Sequence, residues 1–265
     1  MLDIMHLVSP YPPYTKVKSQ SLYLAPFFNS VVIYFVFVQN PNGELWTTLL
    51  KCAPIVFLMF YIVLKGFGFT KEFHNSQRIL IGLIFSCAGD ALLNIDLFPF
   101  GMVAFGIGHV FYISAFGWKP LMLKIGIPMY LAGAVLVGVL FNKLDLILAI
   151  GFPIYGALLL TTSWRALARA TIKKDFLSTF CAFGTIMFVI SDGLIAVDMF
   201  MTSIPYSRIL IMSTYYVAQF GIALSTANEV KVKKSSPTRS KTPVRRRIND
   251  AENVRQRTKT TNKSV

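Results

Sequence analysis

Apolar residues along this chain come in runs near 20 long, separated by short polar breaks. A soluble core does not need runs of that length, whereas a bilayer does. The pattern predicts eight spans, at roughly 22–39, 46–65, 77–97, 100–118, 121–141, 145–164, 177–200 and 205–226. Backbone groups in lipid have to be satisfied within the segment, so runs of this length read as helices; a barrel needs short alternating strands instead. The expected fold is all-α, a polytopic bundle of eight transmembrane helices over residues 22–226. A short N-terminal segment, 1–21, precedes it, and a tail, 227–265, follows. Connections are short. Leu97-Phe98-Pro99-Phe100 allows only a tight turn between the third and fourth spans, Pro120 marks the next turn, and the longest loop, Arg165 to Phe176, is basic.

The polar residues that interrupt these runs are few and patterned. The stretch from Phe85 to Trp118 is apolar enough for a bilayer yet carries Asp90, Asp96, His109 and Tyr112. Ionisable groups in hydrocarbon are costly and by default mark a functional site. Asp90-Ala-Leu-Leu-Asn94-Ile-Asp96-Leu-Phe98 lines up with Asp192-Gly-Leu-Ile-Ala-Val-Asp198-Met-Phe200, offset by 102 residues. Phe111-Tyr112-Ile-Ser-Ala-Phe116-Gly117 resembles Tyr215-Tyr216-Val-Ala-Gln219-Phe220-Gly221, offset by 104. Spans three and four therefore resemble spans seven and eight, which suggests a parallel 4+4 repeat with a site where the repeats meet. No such likeness links spans one and two to spans five and six. At 1.5 Å of rise per residue, Asp90 and Asp192 both sit about 10–12 Å below the same membrane face. His109, Tyr215 and Tyr216 reach about that level. Asp96 and Asp198 lie some 120° around the helix and nearer the surface, and read as interfacial or pocket-mouth groups.

Composition sharpens this picture. The chain is 54% hydrophobic and only 14% charged, against about 25% charged in a soluble domain. The formal charge of +14 is mostly local: residues 227–265 hold 12 Lys/Arg against Glu229, Asp250 and Glu252, a net of +9. That tail is too polar and charged to bury a core and is expected to be disordered. Anionic lipid headgroups on the cytoplasmic leaflet suit it better than nucleic acid. Ser236-Pro237 and Thr242-Pro243 among its basic residues are places where a phosphate would weaken that attraction. Of the remaining basic residues, Lys16, Lys18, Lys65, Lys71, Arg78, Lys119, Lys124, Arg165, Arg169, Lys173 and Lys174 fall on the side of the termini, and only Lys51, Lys143 and Arg208 on the other. That split of 11 to 3 puts both termini in the cytoplasm, where the acceptor-like Asn262-Lys263-Ser264 stays unglycosylated. Cys52, Cys87 and Cys181 all lie in apolar runs, an odd count with neither disulfide nor metal spacing. The N-terminus lacks the charged and apolar regions of a cleaved signal peptide.

The chemistry these residues permit is acid–base chemistry. Two carboxylates sharing a low-dielectric pocket do not both stay ionised cheaply, so one holds a proton and the same residue type supplies an acid and a base. Asp90 and Asp192 are the candidate catalytic pair. Such a pair suits hydrolysis through an oxocarbenium-like cation, the division of labour that glycosidases use. His109 either positions water, holds a phosphate headgroup or is a structural histidine bonded across helices. Tyr112, Tyr215, Tyr216, Gln219, Asn94 and Ser191 are candidates to orient the aspartates or bind substrate oxygens, with interhelical glue as the alternative for each. Gly101, Gly106 and Gly108 follow no strand and serve close helix approach rather than nucleotide binding. No serine elbow, His-Glu-x-x-His or P-loop occurs. No metal and no cofactor are expected.

Gly89-Asp90-Ala-Leu-Leu, then Phe100-Gly101, Gly108-His109-Val-Phe-Tyr112, Ser191-Asp192 and Tyr215-Tyr216-Val-Ala-Gln219 together resemble the YhhN family of membrane proteins, over roughly residues 22–226. Its animal members are lysoplasmalogenases. The resemblance implies hydrolysis of the vinyl ether bond of lysoplasmalogen to a fatty aldehyde and glycerophosphocholine or glycerophosphoethanolamine, in the endoplasmic reticulum membrane and without a metal. The long basic tail departs from the compact family core. Two readings of other classes compete. A transporter or proton-coupled carrier also shows repeats and midplane acids, although no helix is broken by a Gly/Pro pair at matching positions of both halves. A non-catalytic lipid-sensing scaffold would tolerate loss of Asp90 and fail on loss of the tail.

Overall fold

A computed structural model describes residues 13–38, 43–66, 68–70 and 73–227, with side chains in the first helix from Leu22 onward. These residues form eight α-helices and no strand: α1 Pro13–Phe37, α2 Leu45–Leu64, α3 His74–Asn94, α4 Phe98–Phe116, α5 Leu123–Leu140, α6 Leu146–Lys173, α7 Phe176–Phe200 and α8 Ser207–Leu224. The basic tail, its Ser-Pro and Thr-Pro pairs, the glycosylation-like triplet and the first part of the N-terminal segment lie outside the described residues. Six helices, α2 to α7, are long and apolar enough to cross a membrane, so the chain is a helical membrane protein. Within α1 the shorter stretch Leu22–Phe37 is apolar. Helix α8 has 18 residues but includes Arg208, Ser213, Thr214, Tyr215, Tyr216 and Gln219. It carries more polar groups because several of them, Tyr215, Tyr216 and Gln219, are buried against the bundle rather than turned outward.

Two boundaries differ from the sequence expectation. Helix α1 begins at Pro13 rather than near residue 22. Helix α6 runs to Lys173, so the basic loop expected from Arg165 to Phe176 shrinks to residues 174–175. The segment after Arg165 is rich in Ala, Leu and Arg, which are strong helix formers. Arg165 itself is fully buried: its Nε donates to the Gly117 carbonyl at 2.7 Å and its Nη1 to that of Leu121 at 3.2 Å. A charge that reads as a loop residue is thus a clamp on the α4–α5 turn. Asp175 then caps α7 by accepting from the Ser178 amide at 3.0 Å.

In lipid, helices associate through close packing more than through the hydrophobic effect, and small residues permit the approach. The tightest pairs are α3 with α4 and α7 with α8. A Cβ on Gly108 would stand 3.0 Å from the Gly82 carbonyl across the first pair, and one on Gly221 2.9 Å from the Phe180 carbonyl across the second. Helix α6 bridges α4 and α7, α2 packs on α3 and α8, and α1 packs on α2. Helix α5 leans on α6 and leaves Leu131, Val135 and Val139 exposed, the outward apolar face that lipid requires.

Candidate active site

The α3–α4 and α7–α8 turns lie at one end of the bundle. Near that end is a cavity of about 430 Å³, lined mainly by apolar residues of α4 to α8. Its polar residues are few: Lys51, Asp90, Tyr155, Ser191, Asp192 and Tyr215. Asp90, on α3, is 2% exposed. The Tyr215 hydroxyl donates to its Oδ2 at 2.5 Å, and Lys51 Nζ stands 3.8 Å from the Asp90 Oδ1 and donates to the Asp90 backbone carbonyl at 3.3 Å. The next residue on α8, Tyr216, donates to the Lys51 carbonyl at 2.9 Å. Adjacent tyrosines therefore hold the two members of the ion pair, one by its side chain and one by its backbone. Asp192, on α7, is half-buried, and its Oδ2 accepts from the Tyr155 hydroxyl of α6. Among the described residues, no lysine, arginine or histidine forms an ion pair with it.

Four residues from the sequence reading meet at this cavity: Asp90, Asp192, Ser191 and Tyr215. The others stand around it. His109 is fully buried, with Nδ1 3.1 Å from Thr162 Oγ1 and its ring 4.8 Å from Phe188 and 5.7 Å from Tyr155, centroid to centroid. Among the described residues its Nε2 has no hydrogen-bond partner. Tyr112 donates to Gln219 Oε1 at 2.9 Å and lies 3.2 Å from Ser86 Oγ, joining α4 to α8 and α3. Asn94 donates to Thr47 and Thr48 on α2 at 3.0 and 2.7 Å. Ser191 donates to the Ile211 carbonyl at 3.0 Å, fastening α7 to α8 beside Asp192. Asp96 is exposed at the α3 terminus with φ of 59°, and Asp198 accepts from the Ile204 amide at 2.6 Å. Neither lines the cavity. Among the described residues, no three His, Cys, Asp or Glu side chains converge as metal ligands.

Two cavity residues escape a reading by sequence. Lys51 counts there as a charge near a membrane face, although it sits one and a half turns inside α2, where the rule that flags Asp90 applies equally. Tyr155 is a single hydroxyl in an apolar run and nothing local distinguishes it. One signal does exist for both. Lys51 and Tyr155 are 104 residues apart, the spacing that relates the aromatic runs of α4 and α8.

The arrangement defines a class: a helical membrane protein with two carboxyl groups and one ammonium in a largely apolar chamber. The YhhN family model matches residues 46–226, and the chain belongs to that family. It is 39% identical over 220 residues to lysoplasmalogenase TMEM86A of Homo sapiens, covering 80% of this chain and 92% of that one. The corresponding protein of Bos taurus is 38% identical over the same shares. Lysoplasmalogenase TMEM86B of Sus scrofa is 32% identical over 80% of this chain and 89% of that one. No solved structure matches the chain.

Proposed function

We propose that this chain is a lysoplasmalogenase, hydrolysing the vinyl ether of a lysophospholipid with Asp90 and Asp192 as its acid–base pair. The observation that carries the reading is that both carboxyl groups line one largely apolar cavity, in a chain whose relatives bear that name. The alkenyl chain lies in the apolar part, between α5 and α7, and the glycerol end meets the polar residues. Protonation of the outer vinyl carbon leaves an oxocarbenium ion at the carbon bonded to oxygen. Water adds there, and the hemiacetal collapses to aldehyde and the glycerophospho alcohol.

The roles divide by partner. With one ammonium and two carboxyl groups in a dry site, the least costly state has one carboxyl ionised. Asp90, beside Lys51, is the carboxylate. It stabilises the cation and takes the proton of the attacking water. Asp192, whose partner is a neutral phenol, carries the proton delivered to the vinyl carbon. The site then keeps the same total charge as the oxocarbenium forms, which in a low dielectric is the inexpensive route.

In this reading eight helices, α1 and α8 included, cross the endoplasmic reticulum membrane as a parallel 4+4 repeat with both termini cytoplasmic. The bundle over 22–226 is the catalytic domain. The uneven split of basic residues supports the orientation. The test is aldehyde release by purified protein from lysoplasmalogen and from the matched ester lysolipid, with Asp90→Asn and Asp192→Asn in parallel. Aldehyde from the vinyl ether alone, lost in both variants, is the expected result. No aldehyde from folded wild-type protein overturns the reading, and activity surviving in both variants removes the carboxyl pair from it.

A further inference from the structure

Arg208 is a guanidinium with no counter-ion among the described residues, near the end of the cavity where α8 begins. It is half-buried near the start of α8, and its Nη1 is shut from solvent with no hydrogen-bond partner. No described carboxylate lies within ion-pair distance of it. A buried donor left unpaired is costly, more so when charged. Residues 208, 211, 212 and 215 share one face of a helix, spanning about 100° of arc. Ile211, Met212 and Tyr215 line the cavity, so the same face carries Arg208 one turn beyond them, toward the α7–α8 turn. Seven residues separate it from Tyr215, about 10.5 Å along the axis, and an extended arginine side chain covers more than half of that distance. In the substrate the phosphate is separated from the vinyl ether oxygen by the three glycerol carbons and an oxygen, a comparable gap once Tyr215 and Asp90 extend into the cavity.

Resting on the lysoplasmalogenase reading, we propose that Arg208 recognises the phosphodiester of the lysolipid headgroup, so that the phosphate anchors beyond Ile211 and Met212, toward the α7–α8 turn, while the vinyl ether reaches the carboxyl groups. A planar guanidinium grips phosphate through paired N–H donors, which an ammonium does not reproduce. The site recognises the phosphate rather than the choline or ethanolamine beyond it.

The experiment compares aldehyde release from lysoplasmalogen and from the phosphate-free 1-alkenylglycerol, in detergent without anionic lipid. Wild-type protein is expected to favour the phosphate-bearing substrate by about 10- to 100-fold in kcat/KM, the range of a charge-assisted contact. Arg208→Gln is expected to lose most of that preference through a raised KM for lysoplasmalogen, and Arg208→Lys, which keeps the charge and guards against a folding defect, to lose part of it. Equal turnover of the two substrates by wild-type protein overturns the inference without any variant, as does a preference unchanged in Arg208→Gln. Adding anionic lipid to the assay separates the other source of phosphate: stimulation through Arg208 that is equal for both substrates makes it a membrane-lipid contact and overturns the inference. No aldehyde from either substrate removes the hydrolase reading and this inference with it.

Discussion

The α3–α4 and α7–α8 hairpins carry the same D-x-L-[LI]-x-[IV]-D-x-F run and pack as the two tightest helix pairs, yet they present their first aspartate to the cavity in different company. Asp90 has a tyrosine from α8 and a lysine from α2. Asp192 has a tyrosine from α6 and, among the described residues, no cation. The residues that make this difference are Lys51 on α2 and Tyr155 on α6, 104 residues apart in helices that show no likeness. The two hairpins thus bring a carboxyl group each to the cavity, and the neighbouring helices α2 and α6 give each one a different partner.

The comparison is broken most severely at the carboxyl groups. Asp90→Asn and Asp192→Asn each remove a group assigned to proton transfer, and each is expected to lower the rate by about 10²- to 10⁴-fold, measured as aldehyde release per folded protein. A large loss in one variant only would mean that a single carboxyl does the chemistry. Lys51 comes next. Lys51→Met leaves Asp90 buried beside no cation, a defect on the order of 3 kcal/mol, visible as a lower melting temperature in detergent. Lys51→Met/Asp90→Asn removes both charges and is expected to recover most of that stability and none of the activity. Failure of the double variant to regain stability would show that Lys51 supports the fold through something other than this pair. Tyr155→Phe and Tyr215→Phe sharpen the contrast at a smaller scale, each deleting one hydrogen bond to a carboxyl oxygen. About 10-fold in kcat is expected for each. Among the described residues Asp192 has no other side-chain hydrogen-bond partner, so Tyr155→Phe should be the more damaging of the two.

Much of this was legible from residue order. Run length and loop charge identify the helices, since the bilayer imposes a length that composition alone reveals. Asp90 and Asp192 stand out because a charge in an apolar run is rare. What stayed hidden depends on partners distant in sequence. Lys51 resembles a charge at a membrane face until Asp90 lies 3.8 Å away, and Arg165 resembles a loop residue until the Gly117 and Leu121 carbonyls accept from it. Tyr112, Tyr216 and Gln219 are recognisable as polar, but whether they face the cavity or one another is settled by helix rotation, which the sequence does not state. They bond among the helices behind the cavity.

The smallest expected effect tests whether those surrounding bonds are structural. Asn94 and Ser191 each tie an aspartate-bearing helix to a neighbour, Asn94 to Thr47 and Thr48 on α2 and Ser191 to the Ile211 carbonyl on α8. An intramembrane hydrogen bond of this kind contributes about 0.6 kcal/mol on average. Asn94→Ala and Ser191→Ala are therefore expected to lower the melting temperature slightly and to change kcat/KM by less than about threefold. The two variants need not behave alike. Ser191 adjoins Asp192 and lines the cavity, whereas Asn94 is one turn beyond Asp90 and outside it. A loss of activity in Ser191→Ala well beyond its loss of stability, without the same excess in Asn94→Ala, would move Ser191 from holding α7 against α8 to touching the substrate. Equal and small effects would leave the chemistry with the two carboxyl groups and the unlike residues, Lys51 and Tyr155, that distinguish them.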